Sequence, residues 1–421
     1  MTMRSKALPV SPFTDDNIST VMSTSPNPQT LQPPGRPLSL AIWNFTSQWL
    51  LIPQGTGIIC VILARLHYQF NGLQTLAKIV WIYTIVLFGL CLFFYLLRIC
   101  LYPRHVLHQL RTNLIETSCL SCIPIAYTSI LQLVILQYGD RAGLAIYILW
   151  WTDTALAIIV SLGIPYVQLK IQAPGVQKLP PVVLLPFVAV LTAAAGGGAM
   201  CRQNHASARL QVPVIIVSYL EVGIGLAVTT GFNVLIMFQH FNQVHSAADK
   251  VFQDMIICGP LGQGAFALQV LGEAARGSFG AYKRGTFLTG KAADTIGFTS
   301  QFLGLLTWGY GIFWWSFAIL SICHTLAAWG RKPQFSLAAW SLIFPWGVFT
   351  NAAVEFGRIM DSPTFYVIST ALLLILLVMW IVNQILTLRG IITGRILGLE
   401  HGWRKRGSLH TATSTTENKD V

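Results

Sequence analysis

The sequence predicts an all-α membrane protein, with ten transmembrane helices arranged as five helical hairpins around a central pore. Three observations carry that reading. The 421 residues are 54% hydrophobic and only 10% charged, far from the roughly 25% charged residues of a soluble globular domain. Apolar stretches recur from Asn44 onward, at 44–64, 73–97, 114–136, 143–169, 180–200, 212–239, 251–274, 294–322, 334–358 and 362–388. Each is long enough to cross a hydrocarbon core of about 30 Å. Prolines then fall inside alternate stretches: Pro53, Pro124, Pro186, Pro260 and Pro345 occupy the first, third, fifth, seventh and ninth.

Residues 1–38 are rich in Ser, Thr, Pro and Asn without apolar periodicity, which predicts a disordered N-terminal tail. No short apolar core with a small-residue cleavage site precedes the first span, so no cleavable signal peptide is expected. The ten-helix domain takes residues 39–390, and a basic, mostly disordered C-terminal tail takes 391–421. Ten spans put both ends on one side of the membrane. That side carries 17 of the 27 Lys and Arg residues, which predicts cytosolic termini.

Span one carries Pro53 and the triplet Gly55-Thr56-Gly57, and span three carries Pro124. Span five opens on Pro186 and closes on Gly196-Gly197-Gly198. Span seven is the most interrupted, with Gly259, Pro260, Gly262, Gln263 and Gly264 inside an otherwise apolar run. An interior proline removes a backbone hydrogen bond and kinks a helix, at a cost of about 3 kcal/mol in water. In lipid such a break persists only where protein or a watery cavity surrounds it, so the odd spans are expected inside, facing one another. The glycines permit close helix approach, leave room for a narrow pore, or do both. Even spans lack interior proline; Pro165 and Pro213 lie near span ends.

Charges within spans are costly and therefore functional candidates. Asp153 in span four and Glu221 in span six are candidates for proton coupling or for structural hydrogen bonding, and Glu355 near the end of span nine is placed to pair with Arg358. No Lys or Arg lies deep in any predicted span. An anion pathway would therefore rely on helix ends, hydroxyls and amides such as Thr56, Gln263 and Asn351. Trp308, Trp314, Trp315, Trp340, Trp346 and Phe349 crowd spans eight and nine, and most are expected at the lipid or its interface. Phe344, next to the proline of span nine, is a candidate plug.

Other chemistry is excluded by context. Gly262-Gln263-Gly264-Ala265-Phe266-Ala267 matches a dinucleotide fingerprint but lies within a membrane span, without the strand that motif needs. No phosphate-binding loop and no metal-ligand pattern occurs, so neither a metal nor a cofactor is expected. No set of titratable residues assembles into a catalytic site, and the chain is not expected to be an enzyme. The basic residues lie in loops and tails, so the net charge of +12 points to the lipid bilayer rather than to nucleic acid.

The motifs together resemble the tellurite-resistance/dicarboxylate transporter family, also called the voltage-dependent anion channel family, over residues 38–390. Gly55-Thr56-Gly57 resembles its early signature, with Gln54 where the family usually has Met. Pro180-Pro181-Val182-Val183-Leu184-Leu185-Pro186 is similar to its fifth helix. Trp150-Trp151-Thr152-Asp153, Gly259-Pro260-Leu261-Gly262-Gln263-Gly264 and Phe344-Pro345-Trp346-Gly347-Val348-Phe349-Thr350 resemble the fungal sulfite efflux branch. The resemblance implies a small anion as substrate, sulfite or alternatively malate, moved across the plasma membrane. It also implies a pore gated by a phenylalanine matching Phe344, and assembly as a homotrimer.

Overall fold

The computed structural model describes residues 33–139, 141–203, 207–242, 251–328, 335–399 and 403. Ten helices in it are long and apolar enough to cross a membrane. They run Ser47–Arg65, Leu73–Leu101, Leu114–Tyr138, Gly143–Gln172, Pro181–Gln203, Ala208–Phe241, Val251–Tyr282, Gly290–Ala328, Leu337–Met360 and Pro363–Ile392, here spans one to ten. Among the described residues there is no β-sheet, only one isolated bridge between Arg284 and Leu288.

Odd and even spans differ sharply in burial. Between 67% and 100% of the residues in the most apolar stretch of each odd span are buried, against 17% to 44% in the even spans. The odd spans close a ring in the order one, three, five, seven, nine and back to one. Each even span packs outside against its own hairpin partner, and spans two, four, six and eight also touch the next odd span. Because consecutive spans alternate in direction, all five ring helices point the same way. The mouth at their N-terminal ends lies on the side of both chain termini and is called the tail side; the opposite mouth is the far side.

The prolines mark a change of winding rather than an interior kink, which corrects the sequence expectation. Each odd span contains a 3₁₀ segment at its tail-side end: Ser47–Leu50, Cys119–Ser121, Pro181–Leu184, Val251–Ile257 and Leu337–Leu342. The α-helix that follows carries its proline as the third residue in spans one, three, seven and nine, and as the second in span five. A first-turn amide has no partner within its own α-helix, so proline there sacrifices no α-helical hydrogen bond. Five parallel helices thus repeat one junction at one depth. By contrast, Pro165 and Pro213 do lie inside α-helices, of spans four and six.

The glycines of the ring sit where neighbours approach closely. A Cβ on Gly262 would stand 2.7 Å from the Phe349 amide nitrogen of span nine, and one on Gly57 would stand 2.8 Å from Cβ of Ser129 in span three. Gly264 faces Leu226 of span six, Gly55 faces Ile343, and Gly198 faces Val270. Of the two roles read from the sequence, close approach is the one these positions display.

Most of the aromatic residues of spans eight and nine are not at the lipid, against expectation. Trp308, Trp314, Trp340, Trp346 and Phe349 are buried. Trp308 and Trp315 stack on Phe349 with centroids 4.8 and 5.5 Å away. These rings form the seam between the fourth and fifth hairpins, where large flat side chains fill the space between an inner and an outer helix.

Residues 1–32 and 404–421, most of the two predicted tails, lie outside the described residues. Of the remainder, a short helix, Pro37–Trp43, precedes span one. The segment after span ten docks on it, with Asn44 Nδ2 donating to the Leu397 carbonyl at 2.9 Å.

Candidate functional site

The site is the axis of the ring, and its inward faces can be traced from contacts between helices that are not neighbours. The guanidinium of Arg65, at the end of span one, lies over the Phe266 ring of span seven at 4.6 Å. Glu355 of span nine accepts from Arg202 of span five at 2.7 Å. Spans one and seven, and spans five and nine, are separated in the ring by another helix, so these side chains reach across the axis.

Residues spaced four and three apart share a helix face, which carries the trace inward. On span one, Gln54, Ile58, Val61 and Arg65 lie on one stripe; on span seven, Gly259, Gln263, Phe266 and Val270; on span nine, Phe344, Val348, Asn351 and Glu355. Phe344, 2% exposed, therefore shares the stripe that reaches across the axis at Glu355. Three buried amides on these stripes have a polar atom without a hydrogen-bond partner: Oε1 of Gln54, Oε1 of Gln263 and Nδ2 of Asn351. Buried polar groups are normally satisfied; of these three atoms the Asn351 Nδ2 is a donor, the kind of group an anion takes, whereas the two glutamine oxygens are acceptors.

Thr56 takes the opposite face of span one. Its hydroxyl donates to the Ile52 carbonyl and accepts from the indole of Trp380 in span ten. Pro124 and Pro186 stand at the junctions of spans three and five, and Pro260 and Pro345 at those of spans seven and nine. Gly259 of span seven packs against Pro345.

The tail-side mouth contains a cavity of about 260 Å³ whose lining includes Thr46, Gln48, Asn113, Glu116, Gln253 and Ser336. These residues stand at the starts of spans one, three, seven and nine. The lining presents amides, hydroxyls and helix N-termini, whose partial positive charge and free N–H groups favour anions. Glu116 does not oppose this freely, because Arg98 of span two pairs with it at 2.5 Å in a buried contact, and the Ser47 amide donates to it at 3.1 Å.

The far mouth is different in kind. Arg65, Arg202 and Arg358 gather there around Glu355, and Arg202 and Arg358 also reach Glu273. Sequence reading anticipated the Glu355–Arg358 pair, which forms at 2.6 Å. It missed Arg65 and Arg202, since residues at predicted span ends read as ordinary membrane flanks. It missed the tail-side lining and Phe266 too; these carry no signal of their own, because polar residues before a helix and a phenylalanine within a span are common.

Asp153 of span four and Glu221 of span six are buried on helices outside the ring. Asp153 accepts from Thr128 of span three, and Trp150, one turn before it, donates to the Ala193 carbonyl of span five at 2.9 Å.

Comparison with known proteins agrees with this architecture. The family model described as voltage-dependent anion channel matches residues 44–388. The sulfite efflux pump SSU1 of Arthroderma benhamiae is 29% identical over 356 residues, covering 83% of this chain and 91% of that protein. The protein of the same name from Trichophyton rubrum is 28% identical over the same shares. The malic acid transport protein of Schizosaccharomyces pombe is 24% identical, over 85% of this chain and 80% of its own length. With nearly the whole membrane domain matched, and with five parallel helices closed into a ring inside five others, this chain belongs to the voltage-dependent anion channel family.

Proposed function

We propose that this chain exports sulfite across the plasma membrane, through the axis of the ring formed by the odd spans, with its termini in the cytosol. The observation that carries the reading is the electrostatic layout of that axis. An anion enters at a mouth lined by neutral donors and helix N-termini, passes the unpartnered Nδ2 donor of Asn351, and leaves past arginines. Neutral donors bind an anion weakly enough to release it. The similarity to sulfite efflux pumps supports sulfite, and the more distant similarity to a malic acid transporter keeps malate as the second reading.

In this reading Phe344 closes the axis. Its ring, on the second residue of the α-helix that follows the 3₁₀ segment of span nine, plugs a hydrophobic constriction that an anion cannot cross unhydrated. Phe266, on the facing stripe of span seven, narrows the same passage toward the far side. Gly57 and Gly262 set the spacing of the ring, and Gly264 the approach of span six to it. Asp153 and Glu221 bear on coupling to protons, and three copies assemble with one pore each.

Flux into liposomes holding only the purified protein, with sulfite and malate compared under a set potential and a set proton gradient, tests the proposal. Sulfite flux without malate flux is expected. Malate flux alone would transfer the chain to the dicarboxylate reading, and flux of neither by folded protein would refute both. Phe344→Ala is expected to raise basal sulfite flux several-fold; unchanged flux at equal incorporation would remove the gate from this residue. If protons are coupled, Asp153→Asn abolishes the dependence on the proton gradient.

A further inference from the structure

We infer that Arg65, Arg202, Arg358 and Asn351 form an oxyanion-binding site at the far mouth of the ring, and that the Glu355 carboxylate is its tethered occupant. A permeating anion takes the place of that carboxylate on its way out. This rests on the reading that anions cross the ring.

Stoichiometry is the first argument. Three guanidinium groups from three spans converge on one carboxylate: Arg65 Nη2, Arg202 Nη1 at 2.7 Å, and Arg358 through Nη2 at 2.6 Å and Nε at 3.0 Å. A structural ion pair needs one partner, and a buried pair is a weak source of stability. A fork of guanidinium donors around a carboxylate is how proteins hold oxyanions in general. Even with Glu273 included, the cluster has one more arginine than carboxylates.

Access is the second argument. Side-chain exposure falls from 48% at Arg358 and 35% at Glu273, through 14% at Arg202 and 8% at Arg65, to 0% at Glu355. The arginines form a graded path between the solvent and the buried carboxylate.

Asn351 is the third. It lies one turn before Glu355 on the same inward stripe and is wholly buried. Its Oδ1 meets Arg65 Nη1 at 3.5 Å, and its Nδ2 donor has no partner. The site thus has a donor that Glu355 does not use and that a displacing oxyanion can. The parallel ring also calls for such a site here, because the C-terminal ends of its helices present partial negative charge to a departing anion. Arginines at that mouth offset it.

The test uses the full-length protein, in detergent for stability and in liposomes for flux, with sodium sulfite as probe and sodium chloride, which is not an oxyanion, at equal ionic strength as control. Glu355→Gln vacates the site. Its thermal midpoint is expected to rise with added sulfite beyond the chloride control, and to half-saturate at a concentration at least tenfold below any rise in the unmodified protein. Its flux at limiting sulfite is expected to increase several-fold. A midpoint that responds no differently from the unmodified protein, with unchanged flux, overturns the inference.

Should Glu355→Gln not fold, Arg202→Lys decides. It keeps the charge and loses the fork, so the sulfite concentration giving half-maximal flux is expected to rise at least threefold; an unchanged value overturns the site. Absence of any anion flux by the unmodified protein would instead defeat the transport reading itself.

Discussion

The two mouths of the ring solve opposite electrostatic problems with different residues. At the tail side, five helix N-termini already favour an anion, and apart from Glu116 the lining adds uncharged groups such as Asn113, Gln253 and Ser336. Glu116 is neutralised by Arg98 from outside the ring. At the far side the helix C-termini oppose an anion, and three arginines gather on the axis. A parallel bundle has a direction built into its backbone, and its side-chain charges are placed where that direction works against the passenger.

Predictions that probe this contrast fall in order of size. The Arg98–Glu116 pair is closed to solvent and serves to hold the tail-side mouth together. Arg98→Gln strands a buried carboxylate and is expected to cost about 3–5 kcal/mol, read as a lower thermal midpoint and reduced yield of folded protein. If the variant is as stable as the original, Glu116 is not buried as a charge and the neutral-mouth account fails.

Asn113→Asp puts a charge into the tail-side mouth while keeping the cap that Asn113 Oδ1 provides to the amides of Ile115 and Glu116, since Asp caps helices as well as Asn. A carboxylate in that lining repels an anion in the mouth by on the order of 1–2 kcal/mol at an effective dielectric of about 20. Anion flux from the tail side is then expected to fall by about tenfold, with little change in thermal midpoint. Unaltered flux would mean that ions do not enter through this mouth.

The smallest effect concerns His105, in the short helix Pro103–Thr112 beside the tail-side mouth. Its imidazole stacks on Trp43 at 3.8 Å. Burial, with the Arg98 guanidinium and His108 adding to it, holds its pKa down at about 4 against an ordinary 6.5. The folded state therefore favours the neutral ring. The stability this contributes is fully present above pH 6.5 and is lost as the pH falls from 6.5 through 4. His105→Phe is expected to remove part of the drop in thermal midpoint between pH 7 and pH 5. An identical drop in both proteins would show that the stack does not sense protonation.

The order of amino acids alone sets the number of spans, their hairpin order and which five lie inside. Length and apolarity fix the spans, and Pro53, Pro124, Pro186, Pro260 and Pro345 single out the odd ones, because only helices surrounded by protein tolerate five such junctions. It did not determine where each span faces. In a soluble helix the apolar stripe points to the core, but lipid and protein interior are equally apolar, so no periodicity distinguishes the inward stripe of Gln54 and Arg65 from the outward face of Thr56. The facing of each span follows from how the ten helices pack. The far mouth was hidden for a related reason: Arg65 and Glu355 are 290 residues apart, each reads alone as the end of a helix, and their meeting depends on the ring closing span nine against span one.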